Sequence, residues 1–165
     1  MSTATLSLLD EESFSGLNPK SRTIKARTHI FRNAVLFNVL PSNVISDTSS
    51  CEYCRLFSGE VYVEEFLNIH ESGSVDQVPS YKLRFGWKYS SNEFFCQTEK
   101  IDNIHKLNEV ITKWSVWHRI MMQCSGNRYV LLELQFDDME EDRRFRDLVF
   151  RISDEFEILA ELMWD

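Results

Sequence analysis

The end of the chain carries apolar side chains at a repeating spacing of three or four residues. That spacing predicts an amphipathic α-helix of about seven turns over residues 139–164. Asp137 or Asp138 can cap its start, and the acids that follow lie where the helix dipole favours negative charge. The apolar stripe consists of Phe145, Leu148, Val149, Ile152, Phe156, Leu159 and Met163. This helix is the clearest element in the sequence.

The region before the helix has the pattern of β-structure. Residues 60–69 alternate at period two, with Val61 and Val63 on one side, Glu65 as a third candidate for that side, and a wet opposite side. Residues 81–97 and 114–136 each predict a hairpin, the second with a Ser-Gly-Asn turn. The run 34–40 favours a buried strand, although a short helix also fits. Residues 101–113 fit either a helix or a short strand with a loop.

The amino-acid composition limits the classes of protein to which the chain can belong. The chain has 165 residues, 43% of them hydrophobic, and its 5 Gly and 3 Pro are too few for general disorder. We expect a flexible acidic, Ser-rich tail over 1–19, a basic arm, strand and loop over 20–50, and an α+β domain over 51–165. A formal net charge of −8 argues against a general nucleic-acid binder, because phosphates would be repelled.

The sequence also gives an expectation about location. The N-terminal residues lack the pattern of a targeting peptide, and no stretch is apolar for long enough to span a bilayer. Four cysteines in a chain of this length do not form a dense disulfide framework, so we expect reduced thiols. We therefore expect an intracellular protein without a transmembrane segment, in the cytoplasm, the nucleus or both.

The order of elements is six or seven antiparallel strands followed by one long helix. It is carried by residues 60–69, 81–97, 114–136 and the helix from Glu140 onward. This order resembles the pleckstrin-homology superfold, including its GRAM relatives, although no diagnostic motif accompanies it. The resemblance implies an α+β fold in which a mainly antiparallel sheet forms a partly open barrel and the C-terminal helix plugs one corner. The alternative is a generic α+β sheet with two helices on one face.

The resemblance also implies a test for phosphoinositide binding. Lys82 and Arg84 match the second half of the lipid-binding pattern of that family, with Lys88 nearby, but the first half is absent. Residues 51–77 contain six acids against one base, so a phosphate would meet a negative field there. A solvated strand face is the favoured interpretation of these three bases. Members of the superfold without the basic pocket are commonly protein-interaction modules.

The motifs of catalysis and metal binding are missing or incomplete. Cys51 and Cys54 form a C-x-x-C pair, but a structural zinc site needs four ligands and no second pair exists. The chain has no Gly-rich phosphate loop, nucleophile elbow, H-E-x-x-H or EF-hand pattern. His118 is expected in the core or at its rim. We therefore predict no enzyme activity, no metal and no cofactor.

A basic segment precedes the predicted strands. Residues 20–32 contain five bases and no acid, so the segment could bind RNA, DNA or an anionic membrane. The favoured alternative is a solvated arm that folds against the acidic body of the protein. The bases are Lys20, Arg22, Lys25, Arg27 and Arg32.

The C-terminal helix is apolar on more than one side near its end, which predicts a surface for a partner. We therefore expect a non-catalytic interaction or adaptor subunit of an intracellular complex, with another protein as partner. Lipid headgroups and nucleic acid are the alternative partners. The candidate partner-binding residues are Phe150, Ile158, Leu162, Met163 and Trp164.

Overall fold

A computed structural model gives the fold. It describes residues 2–3, 7–8, 21–39, 55–75, 78–91, 93–114 and 117–164. The elements of this part of the chain are β1 (Ser2–Thr3), β2 (Ser7–Leu8), β3 (Ser21–Asn38), β4 (Arg55–His70), β5 (Ser80–Gly86), β6 (Cys96–Thr98), α1 (Ile104–Val110), β7 (Ile111–Trp114), β8 (Trp117–Cys124), β9 (Arg128–Phe136) and α2 (Met139–Trp164).

The long strand β3 closes the sheet into a barrel. It pairs with β4 along most of its 18 residues, and its second half also pairs with β9. The circuit runs β3-β4-β5-β6-β8-β9 and returns to β3, and all pairings are antiparallel. A bend at Asn33, with φ 59, separates the two halves of β3. Asparagine is one of the few residues that adopt this left-handed conformation at low cost.

The core fills the barrel, and α2 closes one of its openings. Phe145 of α2 is fully buried, and its ring centroid lies 5.5 Å from Phe31 and 5.3 Å from Phe136. Leu148, Ile152 and Phe156 continue the buried stripe. The predicted α+β class is confirmed, as is the order of an antiparallel barrel-like sheet followed by a long helix. The topology is broadly that of the pleckstrin-homology superfold.

Local sequence signals account for two of the confirmed elements. Helix α2 has the predicted bounds, and Asp138 Oδ1 accepts a hydrogen bond from the Glu140 amide at 2.9 Å, as a cap should. The predicted turn joins β8 to β9, with Gly126 at φ 76 and Asn127 at φ 58. Both residue types tolerate positive φ, which explains why the chain turns there.

Other elements differ from the expectations. Strand β5 ends at Gly86, so the connection to β6 is a loop over 87–95 and not a tight turn. Residues 101–113, predicted as either a helix or a short strand with a loop, contain both a helix and a strand, because α1 runs directly into β7. Asn103 caps α1 by accepting a hydrogen bond from the Lys106 amide at 2.8 Å. The basic segment 20–32 was expected as a solvated arm, but its described residues 21–32 form the first two thirds of β3.

The far side of β4 is a correction to the sequence prediction. Val61 and Val63 face the core as expected, but the opposite side is not wet. Tyr62 and Glu64 are each 1% exposed. The loop over 87–95 places the Tyr89 ring centroid 5.0 Å from that of Tyr62, and it places Tyr89 and Phe94 over Lys25 and Arg84, the two bases that contact Glu64. The predicted divisions at residues 20 and 51 stay predictions, and they fall outside the described residues.

Candidate functional site

The last two turns of α2 extend past the core. Phe156 is the last buried residue of the helix, and the side chains of Ile158, Leu162 and Met163 beyond it are exposed, Met163 by 73%. Met163 lies on the same side of the helix as the core stripe, so it is exposed because the barrel ends before the helix does. The structure therefore brings three of the predicted partner residues together at one projecting end.

Phe150 lies apart from this end. Its side chain is 75% exposed on the outer side of α2, three turns from Met139, which is also exposed and which the sequence interpretation missed. A shallow depression lined by Arg143, Arg146 and Asp147 separates the two apolar side chains. Trp164 belongs to α2 by its backbone, but its side chain lies outside the described residues.

The charges of α2 are unevenly distributed along the helix. Its first half contains four arginines, of which Arg143, Arg144 and Arg146 form ion pairs with acids one turn away. From residue 152 to 164 the helix contains four acids and no base: Asp154, Glu155, Glu157 and Glu161. The projecting apolar end is therefore bordered by negative charge.

The predicted anion-binding residues divide into two groups. Lys25 and Arg84 converge on Glu64, with Lys25 Nζ 2.5 Å from Oε2 and Arg84 Nε 2.9 Å from Oε1. Neither contact has good hydrogen-bond alignment, and each is best described as an ion pair. Lys82 lies opposite Glu64 in the register of β4 and β5. One buried carboxylate thus takes up two of the cations that a phosphate would need.

Aromatic rings lie over the two bases that contact Glu64. Lys25 Nζ lies 5.5 Å from the centroid of the Tyr89 ring, and the guanidinium of Arg84 lies 5.2 Å from that of Phe94. The Tyr89 and Thr28 hydroxyls share a hydrogen bond of 2.9 Å. Cations held over aromatic faces are stabilised there by the ring quadrupole. These contacts link the loop over 87–95 to β3 and β5.

The remaining predicted cations do not converge. Arg22, Arg27, Arg32 and Lys88 are exposed, and Arg32 Nε lies 3.8 Å from a Glu60 oxygen. Lys20 lies outside the described residues. The sequence suggested one basic patch, whereas the structure spreads these bases along β3 and in the loop after β5.

Loop 87–95 carries exposed aromatic side chains that the sequence interpretation assigned to the hairpin over 81–97. Trp87 is 56% exposed, and Phe94 and Phe95 are exposed beside it. The Phe95 ring stacks on Phe57 at 5.1 Å, and Trp87 meets the same ring edge-on at 5.5 Å. Phe57 therefore anchors an aromatic cluster, defined as Phe57, Trp87 and Phe95, whose outer members face solvent next to Lys88. The neighbouring Phe94 is not part of this cluster, since its ring contacts Arg84.

Polar contacts fix α2 against the barrel. His118 is buried, as predicted, and its Nε2 lies 3.1 Å from Asp142 of α2. The Tyr81 hydroxyl donates to Glu155 at 3.2 Å, and burial together with the nearby acids raises the pKa of Tyr81. Burial also lowers the pKa of His29 to about 4, helped by Arg151 and Arg27. The contacts of His118 and Tyr81 position the helix.

The thiols are consistent with the reduced state expected from the sequence. Cys96 and Cys124 are free, and burial raises the pKa of Cys96 to about 12. Cys51 and Cys54 lie outside the described residues. Among the residues that the structure describes, no three His, Cys, Asp or Glu side chains are placed to hold a metal ion. That the chain binds no metal or cofactor stays a prediction.

Comparison of the chain with protein-family models, curated proteins and solved structures found no significant match in any of the three. Within the described ranges, no helix combines the length and the apolar character needed to cross a membrane.

Proposed function

We propose that the protein is a non-catalytic protein-interaction module of the pleckstrin-homology type, and that the projecting end of α2 docks a partner protein. The observation that carries the proposal is the exposure of Ile158, Leu162 and Met163 beyond the last buried residue of the helix. Burying one such side chain contributes about 1.5–3 kcal/mol. Three of them on one helix end can therefore anchor an interface.

The charge around this end defines the partner. Four acids and no base occur between residues 152 and 164. A complementary surface is an apolar groove with Lys or Arg at its rim, because opposite charges speed the encounter and exclude wrong partners. We therefore expect a helix-in-groove complex whose association slows as salt rises. An adaptor role in the cytoplasm or nucleus fits such a partner.

The test compares two full-length variants as bait. Leu162→Glu/Met163→Glu places charge in the proposed contact. The control, Asn108→Glu/Ser125→Glu, adds the same charge at two exposed positions outside α2, one in α1 and one in the turn between β8 and β9. Wild type and control should retain the same protein from lysates of the source cells. That protein, once purified, should bind the Leu162→Glu/Met163→Glu variant at least about ten times more weakly.

Equal binding of the two variants contradicts the proposal. Circular dichroism and urea unfolding of both variants separate loss of contact from loss of fold. Because Leu162 and Met163 are exposed, neither substitution should change the unfolding midpoint appreciably.

A second candidate function rests on the aromatic cluster. Trp87, Phe94 and Phe95 are exposed near Lys88, and exposed aromatic rings beside a base suit a membrane interface. The ion pairs of Glu64 with Lys25 and Arg84 count against a deep phosphoinositide pocket on this side. Binding would then be interfacial and would involve Lys82 and Lys88.

Vesicle flotation at low salt tests this candidate. Vesicles with and without phosphoinositide are mixed with wild type and with Trp87→Ser/Phe94→Ser. Retention that depends on Trp87 and Phe94 supports it, and no retention of wild type removes it. Nucleic-acid binding by Arg22 and Arg27 is tested by substitution to Ser in the full chain, because deletion through residue 32 would remove two thirds of β3.

A further inference from the structure

The outer edge of β3 is covered in three different ways. Its last five residues pair with β9. At the bend, the Arg32 amide donates to Glu141 at 2.8 Å, and the Asn33 carbonyl accepts from the Asp137 amide at 3.0 Å. Before the bend, the N-terminal segment pairs with the edge through β1 and β2. Backbone groups on a strand edge need such cover, since they otherwise recruit another strand.

The pairing of β1 and β2 with this edge is short. Ser2 and Thr3 pair with His29 and Thr28, and after an interruption Ser7 and Leu8 pair with Lys25 and Ile24. Three residues of the segment span the interruption where β3 has two, so the two short ladders are out of step. Ladders of two residues are marginal in water. On the opposite edge, β3 pairs with β4 at fourteen positions.

Most positions of this edge are not paired with β1 or β2. The residues from 21 to 31 offer eleven positions, and β1 and β2 pair with four of them. A continuous extended segment can pair with more of the edge than the chain's own N-terminus does. Each further ladder bond formed without strain adds about 0.5–1.5 kcal/mol.

We propose that the β3 edge over residues 21–31 is a strand-addition site for an extended, acidic, Ser/Thr-rich segment of a partner protein, and that residues 2–8 occupy it in cis. The chemistry of the ligand follows from the site and from the segment in it. Arg22 and Arg27 are exposed on this part of β3, and residues 20–32 contain no acid. The cis segment is rich in Ser and Thr, and Asp10, Glu11 and Glu12 follow it after Leu9.

The tether makes the cis segment a competitor. Twelve residues connect β2 to β3, and a covalent connection of that length keeps the segment near the edge at an effective concentration in the millimolar range. A partner segment therefore has to pair with more of the edge, or carry more negative charge, to displace it. The site uses none of the residues proposed for the end of α2, so it stands or falls independently of the function proposed for that helix.

The test uses the full chain and a labelled peptide of residues 1–12. Proline has no amide hydrogen, so replacing Ser2, Thr3, Ser7 and Leu8 with Pro removes every ladder bond that the segment donates to β3, and the fixed proline φ disfavours the extended pairing that the remaining bonds need. The matched control carries Ala at 2, 3 and 7 and Val at 8, which keeps every amide. The peptide should bind the proline variant at least about ten times more tightly than wild type or control.

Further measurements separate strand addition from charge attraction. A peptide with the same four prolines should not bind. Adding Arg22→Glu/Arg27→Glu to the proline variant should weaken binding and reduce its salt dependence. Hydrogen exchange at residues 24–29 should speed up in the proline variant and slow again with the wild-type peptide.

Several results would overturn the proposal. They are no binding to the proline variant, equal binding to wild type and proline variant, or equal binding of the proline-containing peptide. Tighter binding of a twelve-nucleotide RNA than of the peptide would assign the edge to nucleic acid instead. A wild-type dimer that the proline variant loses would mean that residues 2–8 pair between two copies and not in cis.

Discussion

The carboxylate of Glu64 lies 2.9 Å from Arg84 Nε at a position where the Glu64 side chain is 1% exposed. The other carboxylate oxygen lies 2.5 Å from Lys25 Nζ. One acid in β4 thus joins a base in β3 to a base in β5. Since the three charges do not cancel, the group keeps one net positive charge beneath the loop over 87–95.

Glu64→Gln should destabilise the fold by about 3 kcal/mol, because removing one partner leaves buried charge uncompensated. Urea unfolding followed by tryptophan fluorescence measures the loss as a lower midpoint at an unchanged slope. Glu109→Gln is the matched control, because that side chain is 66% exposed in its contact with Lys106. Exposed ion pairs contribute little, so the control should change stability by less than about 0.5 kcal/mol. Equal midpoints for the two variants would mean that Glu64 does not hold the strands together.

His29 should make stability depend on pH. Burial, with Arg151, Arg27 and Arg144, lowers its pKa from 6.5 to about 4. Between these values the unfolded chain binds more protons than the folded one, so stability falls as pH falls from 6.5 to 4. The full shift corresponds to about 3 kcal/mol.

The check is urea unfolding of wild type, His29→Gln and His105→Gln at several pH values from 4 to 7.5. His29→Gln should lose less stability than wild type on acidification, and His105→Gln, at an exposed position, should follow wild type. Burial raises the pKa of Glu65, which acts in the opposite direction, so the difference between curves is the quantity to compare. Parallel curves for wild type and His29→Gln would contradict the assignment.

Local signals made part of the fold predictable from sequence. Helix α2 was predictable because its stripe has one period from Phe145 onward and its cap stands directly before it. The β8–β9 turn was predictable because Gly126 and Asn127 suit positive φ. In both cases neighbouring residues alone determine the structure.

The candidate sites depended on contacts between distant residues. Exposure of Phe150 and Leu162 followed from the helix period, whereas Glu64 was assigned to a wet face. Its burial depends on a loop 23–31 residues further along, which strand periodicity cannot reveal. A signal was present, since Tyr62 and Phe66 make the supposed wet side of β4 partly apolar, and strands covered on both sides lose strict alternation.

Cys96 should resist alkylation in the folded protein. Burial, with a smaller effect of Cys124, raises its pKa from 9.0 to about 12, so its thiolate fraction near pH 8 falls about a thousandfold. In a Cys51→Ser/Cys54→Ser background, iodoacetamide at pH 8 should label the exposed Cys124 first. Peptide mass spectrometry over time gives both rates. In 6 M urea the two rates should become similar, whereas similar rates in the folded protein would contradict the burial of Cys96.

Gly59 lies where β4 passes close to β5. A Cβ added there would be 2.6 Å from the Gly86 carbonyl oxygen and 2.6 Å from Cζ of Phe57. The carbonyl belongs to the backbone of β5 and cannot move without breaking the ladder. Gly59→Ala should therefore destabilise the fold by about 1–3 kcal/mol, although Ala lowers the entropy of the unfolded chain.

Phe57 links this position to the aromatic cluster, so a double-mutant cycle can separate the two close contacts. Phe57→Leu removes the ring atom near Gly59 but leaves the Gly86 carbonyl in place. If the carbonyl dominates, Gly59→Ala should cost nearly as much in the Phe57→Leu background as in wild type. Ser58→Ala, at the exposed neighbouring position, should have little effect on the urea midpoint. A Gly59→Ala protein as stable as wild type would mean that β4 and β5 lie further apart at this point than the structure places them.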